Sequence, residues 1–132
     1  MKLEAVRKIL NCQVITGDEK LEGEVGVGCG ADLMSDVLAF IKPNALLLTG
    51  LTNVQAVRTA EIAEVIAIVY VRGKLPDKDA IDLAKEKGIV LLCTNLPMYE
   101  SCGRLHQHGL PGGSELEGGR RDAKRAPLPA TL

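Results

Sequence analysis

The segment Ala45-Leu46-Leu47-Leu48-Thr49-Gly50-Leu51-Thr52-Asn53 is entered through Pro43-Asn44 and carries no charge. A short apolar run bounded by turn residues reads as a strand buried on both faces. The Thr-Gly-Leu-Thr-Asn at its end reads as a polar turn that closes on a helix cap. A strand leading directly into a capped helix is the repeating unit of a parallel α/β sheet. Any ligand is therefore expected at the carboxyl end of this strand.

Downstream, the same unit repeats. A helix is expected from near Asn53 through Val54, Val57 and Ala60 to about Glu64. Residues 65–71, Val-Ile-Ala-Ile-Val-Tyr-Val, are rich in β-branched side chains and free of charge, which predicts a central strand. After the loop Arg72-Gly73-Lys74-Leu75-Pro76-Asp77, Ala80, Ile81 and Ala84 fall on one side of a charged helix that ends at Gly88, a C-cap residue. Residues 89–93 form another apolar strand. Thr94-Asn95-Leu96-Pro97 opens a last helix with Met98, Cys102 and Leu105 on one face, fading at His106-Gln107-His108-Gly109. Short connections and right-handed crossovers make these three strands parallel.

Upstream, Leu3, Val6, Ile9 and Leu10 recur at helical spacing and Asn11 ends the helix. Residues 12–16 read as a strand and Gly17-Asp18-Glu19-Lys20 as a turn. In residues 24–30 side chains alternate with glycines, which predicts a second strand with close backbone approach or a bulge. The third glycine of Gly26-Val27-Gly28-Cys29-Gly30 comes too early for a dinucleotide-binding loop. Asp32 is placed to cap a helix with Leu33, Met34, Val37, Leu38 and Ile41 on one apolar face, stopped by Pro43; the cap is favoured over the alternative, a ligand contact through Asp32. The two early strands would extend the sheet in mixed sense. The fold expected is a single three-layer α/β domain over residues 1–109, its largely parallel or mixed central sheet flanked by helices. Residues 110–132, rich in Gly, Pro and Arg, lack apolar periodicity and are expected to form a flexible tail.

Composition narrows the function. The 132 residues are 46% hydrophobic but only 2% aromatic, so the core must be built from Val, Ile, Leu and Ala. Phe40, Tyr70 and Tyr99 are the only rings, too few to serve as stacking platforms for single-stranded nucleic acid. A net charge of -1 gives no pull towards phosphate backbones, and no nucleic-acid partner is expected. The charged start Met1-Lys2-Leu3-Glu4 does not resemble a signal peptide, and no apolar run is long enough to span a bilayer, so a cytoplasmic location without membrane contact is expected. Cys12, Cys29, Cys93 and Cys102 are scattered, which suggests neither disulfides nor a metal site, and nothing calls for a cofactor.

The pattern resembles the DRTGG domain family, found also in N-terminal regions of some phosphotransacetylases and as inserts in CBS-containing pyrophosphatases. The resemblance is carried by Lys2-Leu3-Glu4-Ala5-Val6, Val14-Ile15-Thr16-Gly17, Val27-Gly28-Cys29-Gly30-Ala31, Leu46-Leu47-Leu48-Thr49-Gly50 and Gly88-Ile89-Val90-Leu91-Leu92-Cys93-Thr94, spanning residues 1–106. Leu51-Thr52 stands where the family has Asp-Arg. The resemblance implies a small module similar to the N-terminal domain of HPr kinase, serving a regulatory or dimer-forming role. It does not imply kinase activity, since the chain has no GxxxxGK[ST] loop.

In parallel α/β sheets ligands gather beyond the carboxyl ends of the strands, where helix N-termini present N–H groups. Here those ends hold Thr49, Gly50, Thr52 and Asn53, then Arg72, Gly73 and Lys74, then Thr94 and Asn95. Hydroxyls, amides and two cations suit a small anionic ligand or a nucleotide. The same asparagines and glycines also serve as caps and turns. Cys102 and His106, at i and i+4, bring a thiol near an imidazole but without a visible activating or oxyanion group. Two classes of function follow. One is a noncatalytic regulatory or interaction module, forming a homodimer or meeting a protein partner. The alternative is an enzyme acting on a phosphorylated or acyl substrate with Arg72, Lys74 and Thr49 stabilising its transition state. The first is favoured because no His, Asp or Glu falls at the strand ends as a general base.

Overall fold

The computed structural model of the chain describes residues 1–116. Its strands are β1 (Gln13–Thr16), β2 (Val27–Gly30), β3 (Ala45–Thr49), β4 (Ala67–Tyr70) and β5 (Val90–Cys93). The helices are α1 (Leu3–Leu10), α2 (Met34–Phe40), α3 (Val54–Ile62), α4 (Lys78–Lys87), α5 (Met98–Gln107) and the single turn α6 (Gly113–Leu116).

The five strands form one sheet in the order β1-β5-β4-β3-β2. β2, β3, β4 and β5 are mutually parallel and β1 lies antiparallel against β5, so the expected mixed sheet is observed. Every residue of β3, β4 and β5 is buried, as their uninterrupted apolar runs require. Alternation then sorts the side chains. Leu46, Leu48, Val69 and Leu92 face α1 and α5, whereas Leu47, Ile68, Tyr70 and Leu91 face α2, α3 and α4. Each fully buried leucine contributes about 1.5–3 kcal/mol.

The parallel strands follow one another in sheet order, so every crossover steps the same way. Right-handed connection then puts α2, α3 and α4 all on one face. The strand order nowhere reverses among the parallel strands, and the crevice that such a reversal opens in doubly wound sheets is not formed.

Several boundaries depart from expectation. β2 begins only at Val27, because Glu24 bridges to Lys2 and the Val25 N–H bonds the Met1 carbonyl instead of extending the strand. In α2, Leu33 and Leu38 are 60% and 49% exposed, and only Met34 and Val37 of the expected apolar face are buried. α2 packs chiefly on α3, and Leu33 and Leu38 of its expected apolar stripe stay outside that packing. The chain also stays packed beyond residue 109. Leu110 is buried, the Gly28 N–H donates to the Pro111 carbonyl at 2.9 Å, and Gly112 bridges to Gly28. Residues 110–112, expected in the tail, thus pack against β2, and residues 117–132 of the expected tail lie outside the described residues.

Candidate functional site

Thr49 ends β3 fully buried, and its hydroxyl is committed at both ends. It accepts from the Leu51 N–H at 3.1 Å and donates to Asp32 Oδ1 at 3.0 Å. The Gly50 N–H donates to the same carboxylate oxygen at 2.7 Å. Asp32 therefore does not cap α2, contrary to the sequence expectation. The N-cap position is Leu33, without a side-chain bond, and Asp32 spends its carboxylate on the end of β3. Two donors from a neighbouring strand outcompete one local cap bond.

The loop after β4 is built as a hook. Arg72 and Gly73 both have left-handed φ, +59° and +69°, and the Lys74 N–H returns to the Val71 carbonyl at 3.2 Å, the pattern of a type I′ turn. The hook hangs on the end of β5. Arg72 N–H bonds the Leu96 carbonyl at 2.9 Å, Gly73 N–H bonds the Thr94 carbonyl at 2.8 Å, and the Cys93 thiol donates to the Lys74 carbonyl at 3.1 Å. Gly73 suits this turn because its φ is +69°, and Asn95 Oδ1 lies 3.0 Å from where a Cβ would stand, tight enough that Asn95 would have to give way to a side chain there. Backbone pairing thus leaves the Arg72 and Lys74 side chains outside. Both residues are exposed, and neither forms an ion pair among the described residues.

Lys74 curls back over β3. Its Nζ and Asp32 Oδ1 each lie 3.6 Å from the position a Cβ on Gly50 would occupy. Gly50, Asp32 and Lys74 are thus brought together at the end of β3, with Arg72 exposed two residues away on the same turn. The remaining sequence candidates serve the fold. Asn53 Oδ1 caps α3 by accepting from Gln55 N–H at 3.1 Å, the Thr52 carbonyl accepts from Asp77 N–H at 2.9 Å, and buried Thr94 donates to the Leu10 carbonyl at 2.6 Å.

A cavity of about 670 Å³ lies elsewhere, between α5 and the edge strand β2, and includes none of these residues. Leu48, Leu105 and Leu110 form its floor, with Cys102, His106 and Tyr99 along the α5 wall. A Cβ on Gly30 would come within 2.8 Å of Cys102 Sγ and 3.0 Å of Met98 Sδ. Gly30 thus marks close approach by α5, and Gly28 close approach by Leu110. Burial pushes the Cys102 and Cys29 thiols above their usual range, opposite to what an activated nucleophile needs. Among the described residues no three His, Cys, Asp or Glu side chains converge as a metal site. No helix there is long and apolar enough to cross a membrane.

No protein-family model and no curated protein matches the sequence. The fold has a solved counterpart in the CBS and DRTGG domains of the regulatory region of Clostridium perfringens pyrophosphatase, crystallised with the activator diadenosine tetraphosphate. The TM-score is 0.66 at 18% identity, over 86% of this chain and 49% of that one. The chain thus spans about half the length of the structure it matches. At that identity the likeness is one of fold.

Proposed function

We propose that this chain is a noncatalytic regulatory or interaction module of the DRTGG type, sensing a small anionic ligand or nucleotide at the ends of β3 and β4. The observation that carries the reading is the hooked turn, which holds Lys74 beside Gly50 and leaves Arg72 and Lys74 both exposed and without an ion pair among the described residues. Two adjacent cations on a turn locked by backbone bonds provide a prearranged seat for phosphate oxygens. The fold likeness to a regulatory region crystallised with a dinucleotide activator supports the same reading. Thr49 and Gly50 then act through Asp32, since their donors are already engaged. We also propose that the module is cytoplasmic and self-associates as a homodimer. Phe40, 73% exposed, and Leu38 leave an apolar surface on α2 that a second copy or another protein would cover.

Thermal unfolding with inorganic phosphate, AMP, ATP and diadenosine tetraphosphate, alongside light-scattering mass, tests the proposal. A ligand present at a hundred times its Kd stabilises the native state by about 2.7 kcal/mol. A raised midpoint that disappears in Arg72→Ala and Lys74→Ala supports sensing at this turn; no shift with any of the four probes overturns it. A monomeric mass at every concentration overturns self-association.

A further inference from the structure

Gly50 is not among the described residues with left-handed φ, so its backbone makes no demand for glycine. What the missing side chain provides is space. The Asp32 carboxylate and the Lys74 ammonium flank the same point above its Cα, each 3.6 Å from where a Cβ would stand, and do not pair with each other. The carboxylate is pinned. Its Oδ1 takes the Gly50 N–H and the Thr49 hydroxyl, and the Leu51 N–H donating to Thr49 Oγ1 directs the hydroxyl hydrogen towards Asp32. Oδ2 accepts no hydrogen bond among the described residues, although Asp32 is exposed.

An ionised carboxylate only accepts hydrogen bonds, and an ammonium only donates them. A ligand filling the gap must bring donors to Asp32 and an anion to Lys74. Inorganic phosphate meets the second demand, but its negative charge is repelled by the Asp32 carboxylate. A zwitterion meets both, but within the ligand reading above only a nucleotide carries hydroxyl donors and an anion together. We infer, resting on the ligand reading above, that the gap over Gly50 is a ribose subsite. Asp32 accepts the hydroxyls of a cis-diol while Lys74 and Arg72 hold the phosphate, so the module selects ribonucleotides by their sugar. A carboxylate that receives sugar hydroxyls is an established solution to ribose recognition in α/β folds. Here the carboxylate follows β2 and is oriented by β3.

Calorimetric titration of the full chain with AMP and with 2′,3′-dideoxyadenosine monophosphate tests this. Loss of hydrogen bonds to a charged acceptor lowers affinity about tenfold or more, so the dideoxy compound binds weaker by that factor. Asp32→Asn keeps the shape but turns an outward acceptor into a donor, and erases the preference without weakening the dideoxy compound. Gly50→Ala places a methyl in ordinary contact with both groups, folds normally and lowers AMP affinity. Equal binding of the two nucleotides by the wild-type chain, or a preference that survives in Asp32→Asn, overturns the ribose subsite and leaves the phosphate reading standing. If neither nucleotide binds the wild-type chain, the nucleotide reading and the subsite fall together.

Discussion

The hydroxyl of Thr94 donates to the carbonyl of Leu10 at 2.6 Å, tying the end of β5 to the end of α1 across most of the chain. The same hydroxyl accepts from the Leu96 N–H at 3.3 Å, which opens the turn into α5. Thr94→Val leaves the Leu10 carbonyl buried without this partner. We expect a loss of about 1–3 kcal/mol, measured by urea denaturation. Wild-type stability in Thr94→Val would show that the contact contributes nothing to the fold.

Gly17 joins β1 to the turn at Asp18–Lys20 with φ +99°, and a Cβ there would fall 2.8 Å from Val90 Cγ2 and 3.1 Å from Val90 Cα. Backbone cannot swing aside as a side-chain tip can. Gly17→Ala combines left-handed strain with overlap and should cost about 2 kcal/mol or more. A thermal midpoint within a degree or so of wild type would contradict the packing described here.

Tyr70 is fully buried, and its hydroxyl has no hydrogen-bond partner among the described residues. Burial, with the nearby Asp77 charge, pushes its pKa up. Tyr70→Phe removes an unsatisfied polar atom while keeping the ring, and should stabilise the chain by about 1 kcal/mol, a rise of about 4 °C or more. A lowered midpoint would show that the hydroxyl is satisfied in solution.

Alkaline pH should weaken the fold through its thiols. Burial, assisted by neighbouring Cys93, pushes Cys12 from 9.0 to about 12. The folded chain holds this proton more tightly than the unfolded chain. The contribution is complete below pH 9 and drains away as pH rises towards 12. Burial raises Cys29, Cys93 and Cys102 in the same direction. Midpoints at about pH 8 and about pH 10.5 should differ. Cys12→Ala should shrink that difference, and an unchanged slope would remove Cys12 from the account.

What the sequence revealed follows from where the information lies. The central strands were legible because a run such as Leu46-Leu47-Leu48 has no other stable home than a sheet covered on both sides. Asn11, Asn53 and Gly88 announced helix ends through short-range backbone chemistry, and all three occupy cap positions. Asp32 misled for the same reason: its local preference is to cap, while its partners, Thr49 and Gly50, lie far along the chain. The docking of residues 110–112 was illegible because a lone buried Leu110 makes no periodic pattern and the rest is backbone pairing of Pro111 and Gly112 with Gly28, which leaves no side-chain signature. At the candidate site, the cations could be named from sequence, whereas Asp32 was read first as a cap and a ligand contact was only its less favoured alternative.

The antiparallel seat of β1 orders events on the ribosome. Gln13 is opposite Cys93 and Val14 opposite Leu92, so the earliest strand among the described residues pairs with the latest. The four parallel strands lie in the order of translation, each beside its predecessor. β1 lacks this partner until β5 emerges, and a pairing of such long sequence separation is expected to form late and slowly. Ribosome-stalled chains ending before Val90 would hold β1 open to proteases or chaperones, and chains a tunnel's length beyond Cys93 would not.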